Sequence, residues 1–250
     1  MRQFIAAAAL AATLFLAPGA SQGITQTQSE ATATAAAPAP SPIVAVAPAA
    51  PYGLPDGHDH NQVSGLAPGQ GAAEFRIWLG RSAANRASID AFQGRLAAEG
   101  VANVVPLWQL VRTSSSWREC GAEPFEVAPA DKWEHIVRTL RFVRDKVKPA
   151  VGEVEALSAY RNERLNACSA GAPRSAHRQF FALDLSPVRA DVSRSAMIHS
   201  VCAAHAHDGR AYDAGLGFYS GRRFHVDSNG YRKWGPDGRG ASSPCVTGIA

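Results

Sequence analysis

Two histidines and one aspartate stand apart from the other titratable residues by their surroundings. In SAHRQFFALDL, residues 175–185, His177 precedes an apolar run that closes on Asp184. In FHVD, residues 224–227, His225 sits inside a second short strand-like run. A carboxylate flanked by Ala182, Leu183 and Leu185 in a strand is buried, and a buried charge is costly unless something compensates it. Two imidazoles and one carboxylate from neighbouring strands can hold zinc and leave one position open, the arrangement of a catalytic site. A divalent cation would compensate Asp184. Ser-His-Asp hydrolysis is the competing chemistry, but no G-x-S-x-G elbow exists to present a serine. The chain has eight histidines. His135, His199, His205 and His207 fall on or beside helical stretches and read as ordinary surface or core residues. His58 and His60, in the Gly/Pro-rich DGHDH stretch, read as a solvated turn.

Positioning these groups requires strands, and the pattern supplies them. GEVEALSAYR is a strand expectation centred on Val154 and Leu157, and Phe180–Leu185 is a second. DAGLGFYSGRRFHVDS gives two short strands about a Ser220-Gly221 turn. Three helices are expected around them. Residues 87–100 carry Ile89, Phe92 and Leu96 on one stripe, with Gly100 as a stop. Trp133, Ile136, Val137, Leu140, Val143 and Val147 form one apolar face, with Asp131 and Glu134 as a capping box and Pro149 as terminator. Residues 191–207 place Met197, Ile198, Val201 and Cys202 inward. Strands and helices in segregated runs favour an α+β fold with a central antiparallel sheet flanked by helices.

The chain has 250 residues, not all of them domain. Residues 1–23 combine Arg2, an apolar run from Phe4 to Ala17 and small residues after it, the pattern of a secretory signal peptide. The run is short of the about 20 apolar residues that span a bilayer. Residues 24–71 are rich in Ala, Pro and Thr and read as a disordered linker. Residues 72–250 are long enough to bury a core and form the expected folded domain. All four cysteines lie there, an even count that suits two disulfides in an exported chain. Sequence order favours Cys120–Cys168 and Cys202–Cys245. No C-x-x-C spacing supports a cysteine zinc site. A net charge of +4 suits an anionic partner but does not argue for nucleic acid. The expected location is secreted or periplasmic, with no membrane span once the leader is removed.

A family resemblance joins these pieces. SAYR (158–161), NACSAGAPRS (166–175), SAHRQFFALDL and GLGFYSGRRFHVD (215–227) resemble the S-x-Y-R, S-x-H with A-x-D, G-x-G-x-Y and H-x-D motifs of the zinc D-Ala-D-Ala peptidases of the M15 type. The order is the same, and the likeness spans residues 158–227. It implies a fold shared with DD-peptidases and the hedgehog signalling domain. It also implies Zn2+ on His177, Asp184 and His225, and peptidoglycan stem peptides as substrate. Arg161 matches the arginine that faces the scissile carbonyl. Tyr160 and Ser175 are expected to shape the substrate pocket. Two departures stand out. Phe180 occupies a position, three after the first ligand histidine, where relatives usually have Gly. Arg222, Arg223 and Phe224 precede His225 where many relatives place an acid or a second histidine, so the usual general base is missing. Asp227 shares the strand face of His225 by period-2 alternation and is the leading base candidate, with Asp213 and Glu155 as substitutes. A position behind the metal ligand is the alternative for Asp227. Arg174, Arg178, Arg222 and Arg223 crowd the same motifs. The expectation is an exported zinc peptidase. The competing readings are a wall-binding module without activity and a metal-free domain stapled by disulfides.

Overall fold

Short apolar runs bounded by Gly, Ser or Asn form the strands that carry the candidate site. The computed structural model describes residues 65–248. The expected leader, most of the expected linker and the His58/His60 pair lie outside them. Five strands form one sheet: β1 (Val154–Ser158), β2 (Ala182–Pro187), β3 (Gly215–Phe218), β4 (Phe224–Asp227) and β5 (Arg232–Trp234). Their order is β1-β2-β4-β3-β5. The helices are α1 (Ala72–Gly80), α2 (Ala83–Ala98), α3 (Leu107–Leu110), α4 (Trp133–Phe142), α5 (Lys148–Val151), α6 (Glu163–Cys168), α7 (Arg194–Asp208) and α8 (Pro244–Thr247). The α+β class is therefore as expected. The sheet is mixed rather than wholly antiparallel, because β5 pairs with β3 in parallel. A short reversal after Asp227 makes β5 run opposite to β4. The second edge of β4 is already taken by β2, so β5 reaches the open edge of β3.

Side-chain alternation divides the sheet into two unlike faces. Leu183, Leu185, Leu216, Phe218, Phe224 and Val226 join the buried apolar core with Ile136, Leu140, Met197 and Val201 of α4 and α7. The opposite face carries Asp184, His225 and Asp227. Asp184 stands opposite His225, and Ala182 opposite Asp227.

Several local expectations change. α2 starts before residue 87 because Ser82 caps it, its hydroxyl accepting from Ala84 N and Asn85 N. The expected stripe of Ile89, Phe92 and Leu96 is buried. Asp131 does not cap α4; it lies in a 3-10 turn, Ala130–Lys132, that leads into the helix. Pro149 does not end the helical run. A π-turn over Val143–Val147 bonds Lys148 N to Val143 O and shifts the register, and Pro149 then enters near the start of α5, where its missing N–H is tolerated. The run stops at Gly152, with φ +80°. The expected domain start at residue 72 moves toward the N-terminus. Gln70 is fully buried, its carbonyl accepts from Arg112 Nε at 2.9 Å, and Pro68 O accepts from Trp117 Nε1 at 3.2 Å.

Both disulfides pair in sequence order, Cys120–Cys168 and Cys202–Cys245. Their separations of 48 and 43 residues imply about 4 kcal/mol of stabilisation each in the chain-entropy account. The first ties residue 120 to the end of α6. The second ties α7 to α8.

Phe180 is not a strand residue. It follows the 3-10 turn Ala176–Gln179 in the left-handed region, φ 58° and ψ 28°. That conformation explains why a glycine suits this position in the resembling family. The phenyl ring is fully buried against Phe92 and Tyr160, with centroids 5.7 and 6.0 Å away, and its burial offsets the strain. Truncation should cost about 3–5 kcal/mol. Phe180→Gly should be more stable than Phe180→Ala by about 0.5–1 kcal/mol in urea unfolding, the reverse of the usual order of these residues. An alanine variant as stable as the glycine one would contradict the strain.

Candidate metal centre

The register of β2 and β4 brings Asp184 and His225 together, and the turn before β2 adds His177. Ser175 caps that turn, its Oγ accepting from His177 N at 3.3 Å. His177 Nε2 lies 3.2 Å and His225 Nδ1 lies 3.1 Å from Asp184 Oδ1. One ligand atom from each of the three buried residues falls within 4.8 Å of the others. Atoms held about 2.0–2.1 Å from a common tetrahedral cation stand roughly 3.3 Å apart, close to these separations.

The outer ring nitrogens fix the tautomers. His177 Nδ1 donates to Ala159 O at 2.6 Å. His225 Nε2 donates to Asp227 Oδ2 at 2.8 Å. In neutral imidazoles the inner nitrogens are then lone pairs, and both face a carboxylate oxygen. Three such acceptors converge only with a proton or a cation between them, and the group could hold a metal ion. The residues fit a metal ion, with two imidazoles and a carboxylate as donors.

The surroundings hold Asp184 ionised. Its Oδ1 also accepts from Tyr219 Oη at 2.9 Å, and its Oδ2 accepts from Arg161 Nη2 at 2.7 Å and Arg223 Nη2 at 2.6 Å. Burial opposes that charge, but His177, Arg223 and His225 outweigh it and hold the carboxyl well below its usual range. Burial, helped by Arg161, pushes His177 down to about 4. His225 behaves oppositely: burial opposes its charging, yet carboxylates on both ring nitrogens raise it. Burial and the Asp184 charge raise the Tyr219 hydroxyl.

The motif spacings acquire physical reasons. Ser158 Oγ, three residues before Arg161, accepts from Arg161 Nε at 3.0 Å and aims the guanidinium at Asp184. Gly217 is paired with both His225 and Trp234, and a Cβ there would overlap the Trp234 indole. Gly215 likewise leaves room for Asp227. Trp234 lies over His225, 5.3 Å between ring centroids, and edge-on to Tyr219.

The structure moves two expected site residues out of their roles. Asp227 is fully buried behind His225, where its Oδ2 also accepts from Arg232 Nη2 at 2.7 Å and its Oδ1 from Arg232 Nη1 and Asn229 N. Burial opposes its charge, yet His225 and Arg232 keep the carboxyl below its usual range. There it can orient His225, and it does not line the cleft as a general base would. The substitutes do no better, since Asp213 pairs with Arg138 and Glu155 with Arg112. Tyr160 is buried against Phe180, with Lys132 over its ring, and is packing rather than pocket wall. Arg161 and Ser175 do line the cleft above the metal group.

That cleft, about 390 Å³, runs between the 169–177 loop, the Tyr219–Ser220 turn and the Arg232–Gly238 segment. No carboxylate lines it among the described residues, whereas Arg161, Arg174 and Arg232 do. The sequence reading passed over Tyr219, Arg232 and Trp234. Tyr219 was visible in the G-x-G-x-Y motif, but Arg232 and Trp234 lie beyond any motif and reach the site only through the parallel strand.

His177→Ala should abolish tight metal binding, and Asp227→Asn should weaken it about 10–100-fold, both read by metal content after dialysis. Because His225 is raised, loading near pH 6.5 should release about one proton per ion into weakly buffered solution. Loading without proton release would contradict a charged His225 in the metal-free site. No helix among the described residues is long and apolar enough to cross a membrane. Comparison with family models, curated proteins and solved structures returns no match, so the site is read from its own geometry.

Proposed function

We propose that this chain is an exported zinc peptidase acting on peptidoglycan stem peptides. The observation that carries the reading is the buried convergence of His177 Nε2, Asp184 Oδ1 and His225 Nδ1 beneath an open cleft. The motif resemblance to zinc D-Ala-D-Ala peptidases, the α+β fold and two disulfides suited to an oxidising compartment support it. Zinc bound there would acidify a water and polarise the peptide carbonyl.

The chain's own groups do the positioning. Asp227 and Ala159 O hold the two imidazoles in the ligating tautomer. Arg223 and Tyr219 hold Asp184. Arg161 Nη1 has no protein partner among the described residues and is available to an oxygen that gains charge during acyl transfer. Arg174, also without an ion pair, stands at the cleft wall for a substrate carboxylate. Four arginines against two carboxylates leave the site cationic, which suits a peptide bearing several carboxylates. With no carboxylate lining the cleft, proton transfer goes to solvent, and the rate at neutral pH should rise with buffer concentration.

The missing base also favours a second reading, a wall-binding module that keeps the metal and does not cut. Incubation with a pentapeptide ending in D-Ala-D-Ala, as free acid and as C-terminal amide, with and without chelator, separates the two. The enzyme reading expects chelator-sensitive cleavage, at least about tenfold faster for the acid, the loss of one good charge-assisted contact. Intact peptides beside fully metal-loaded protein that pulls down with sacculi would favour the binder and overturn the enzyme.

A further inference from the structure

A second cavity, also about 390 Å³, borders the segment that follows Arg161. Its apolar part is Trp78, Phe125 and Leu165, with Trp78 and Phe125 rings 5.8 Å apart. Two opposite charges line the same chamber, Glu126 and Arg164. They do not pair with each other, and neither has another ion-pair partner among the described residues. Glu126 is half-buried and receives one bond, from Asn162 Nδ2 to its Oε2 at 2.8 Å. Burial raises its carboxyl above the usual range, outweighing the Asn162 bond and the more distant charge of Lys132. Glu123 at the rim differs: it is exposed and already bonded to Arg81.

A chamber with an apolar floor and separated charges of opposite sign, neither in a direct ion pair among the described residues, matches a ligand that carries both charges and an apolar body. A simple cation would leave Arg164 unused, and a simple anion would meet Glu126. We propose that this cavity binds a free amino acid with an apolar side chain, its ammonium on Glu126 and its carboxylate on Arg164. The site is separate from the metal group and independent of the peptidase reading. It has a direct path to that group all the same. Asn162 holds Glu126 with its amide nitrogen and caps α6 with its amide oxygen, which accepts from Leu165 N at 2.9 Å. The residue before it, Arg161, holds Asp184.

The test is a calorimetric titration of the intact, disulfide-bonded protein with D- and L-leucine, beside leucinamide and N-acetyl-leucine. Leucinamide lacks the carboxylate and N-acetyl-leucine lacks the ammonium. Saturable binding of at least one leucine enantiomer is expected, with each derivative weaker by about tenfold or more. Glu126→Gln keeps an acceptor for Asn162, and Arg164→Ala alters an exposed side chain. Each should weaken leucine binding about tenfold or more, while His177→Ala should leave it unchanged. If Glu126→Gln does not fold, Arg164→Ala with the two derivatives carries the same test. No saturable binding of either enantiomer up to about 20 mM, or equal binding by the derivatives or by Arg164→Ala, would overturn the proposal.

Discussion

The Asp184 carboxylate is the constraint on which the site depends. It is fully buried in the middle of β2. An ion in that position is costly in isolation, by several kcal/mol after relaxation. Two arginines and a tyrosine donate to it, and two imidazoles turn their inner ring nitrogens toward it. Removing any one donor leaves part of the charge uncompensated. The arginines satisfy one oxygen; the other accepts from Tyr219 and faces both histidines, where the three residues could hold a cation. The same carboxylate therefore organises the sheet face and completes a group that could hold a metal ion.

The rest of the fold makes that arrangement possible. One face of the sheet is apolar and anchors the strands to α4 and α7, which frees the opposite face for charge. On the charged face glycine matters as much as histidine. Gly215 and Gly217 leave β3 without side chains where Asp227 and Trp234 must lie. The two disulfides act at a distance, one at the loop that borders the cleft and one at the helix that ends the described chain. None of these features performs chemistry. Each holds a reactive group where its neighbours need it.

Period-2 alternation made much of this legible in the sequence. A lone aspartate among aliphatic residues and a histidine in FHVD announced buried partners, and β2 and β4 bring them together. The same alternation placed Asp227 beside His225 correctly but could not say what else it touched. Arg232 comes from β5, whose parallel pairing with β3 no local pattern announces, and it fixes Asp227 behind the ligand. Tyr160 failed for a related reason, since its neighbours Phe180 and Lys132 come from distant segments. Pro149 and Asp131 show propensity yielding to context, through a π-turn in one case and a 3-10 turn in the other. Phe180 reads as a strand residue by type, yet the turn that aims His177 requires a left-handed backbone there. Gln70 shows that an Ala- and Gly-rich composition can hide a residue clamped by Arg112.

The most direct measurement is an X-ray absorption spectrum at the zinc edge of the purified, zinc-loaded protein. The account predicts a nitrogen and oxygen shell at about 2.0–2.1 Å with outer scattering from two imidazoles and no sulfur. A sulfur shell near ~2.3 Å, or scattering from fewer than two imidazoles, would show that residues 177, 184 and 225 do not share a metal.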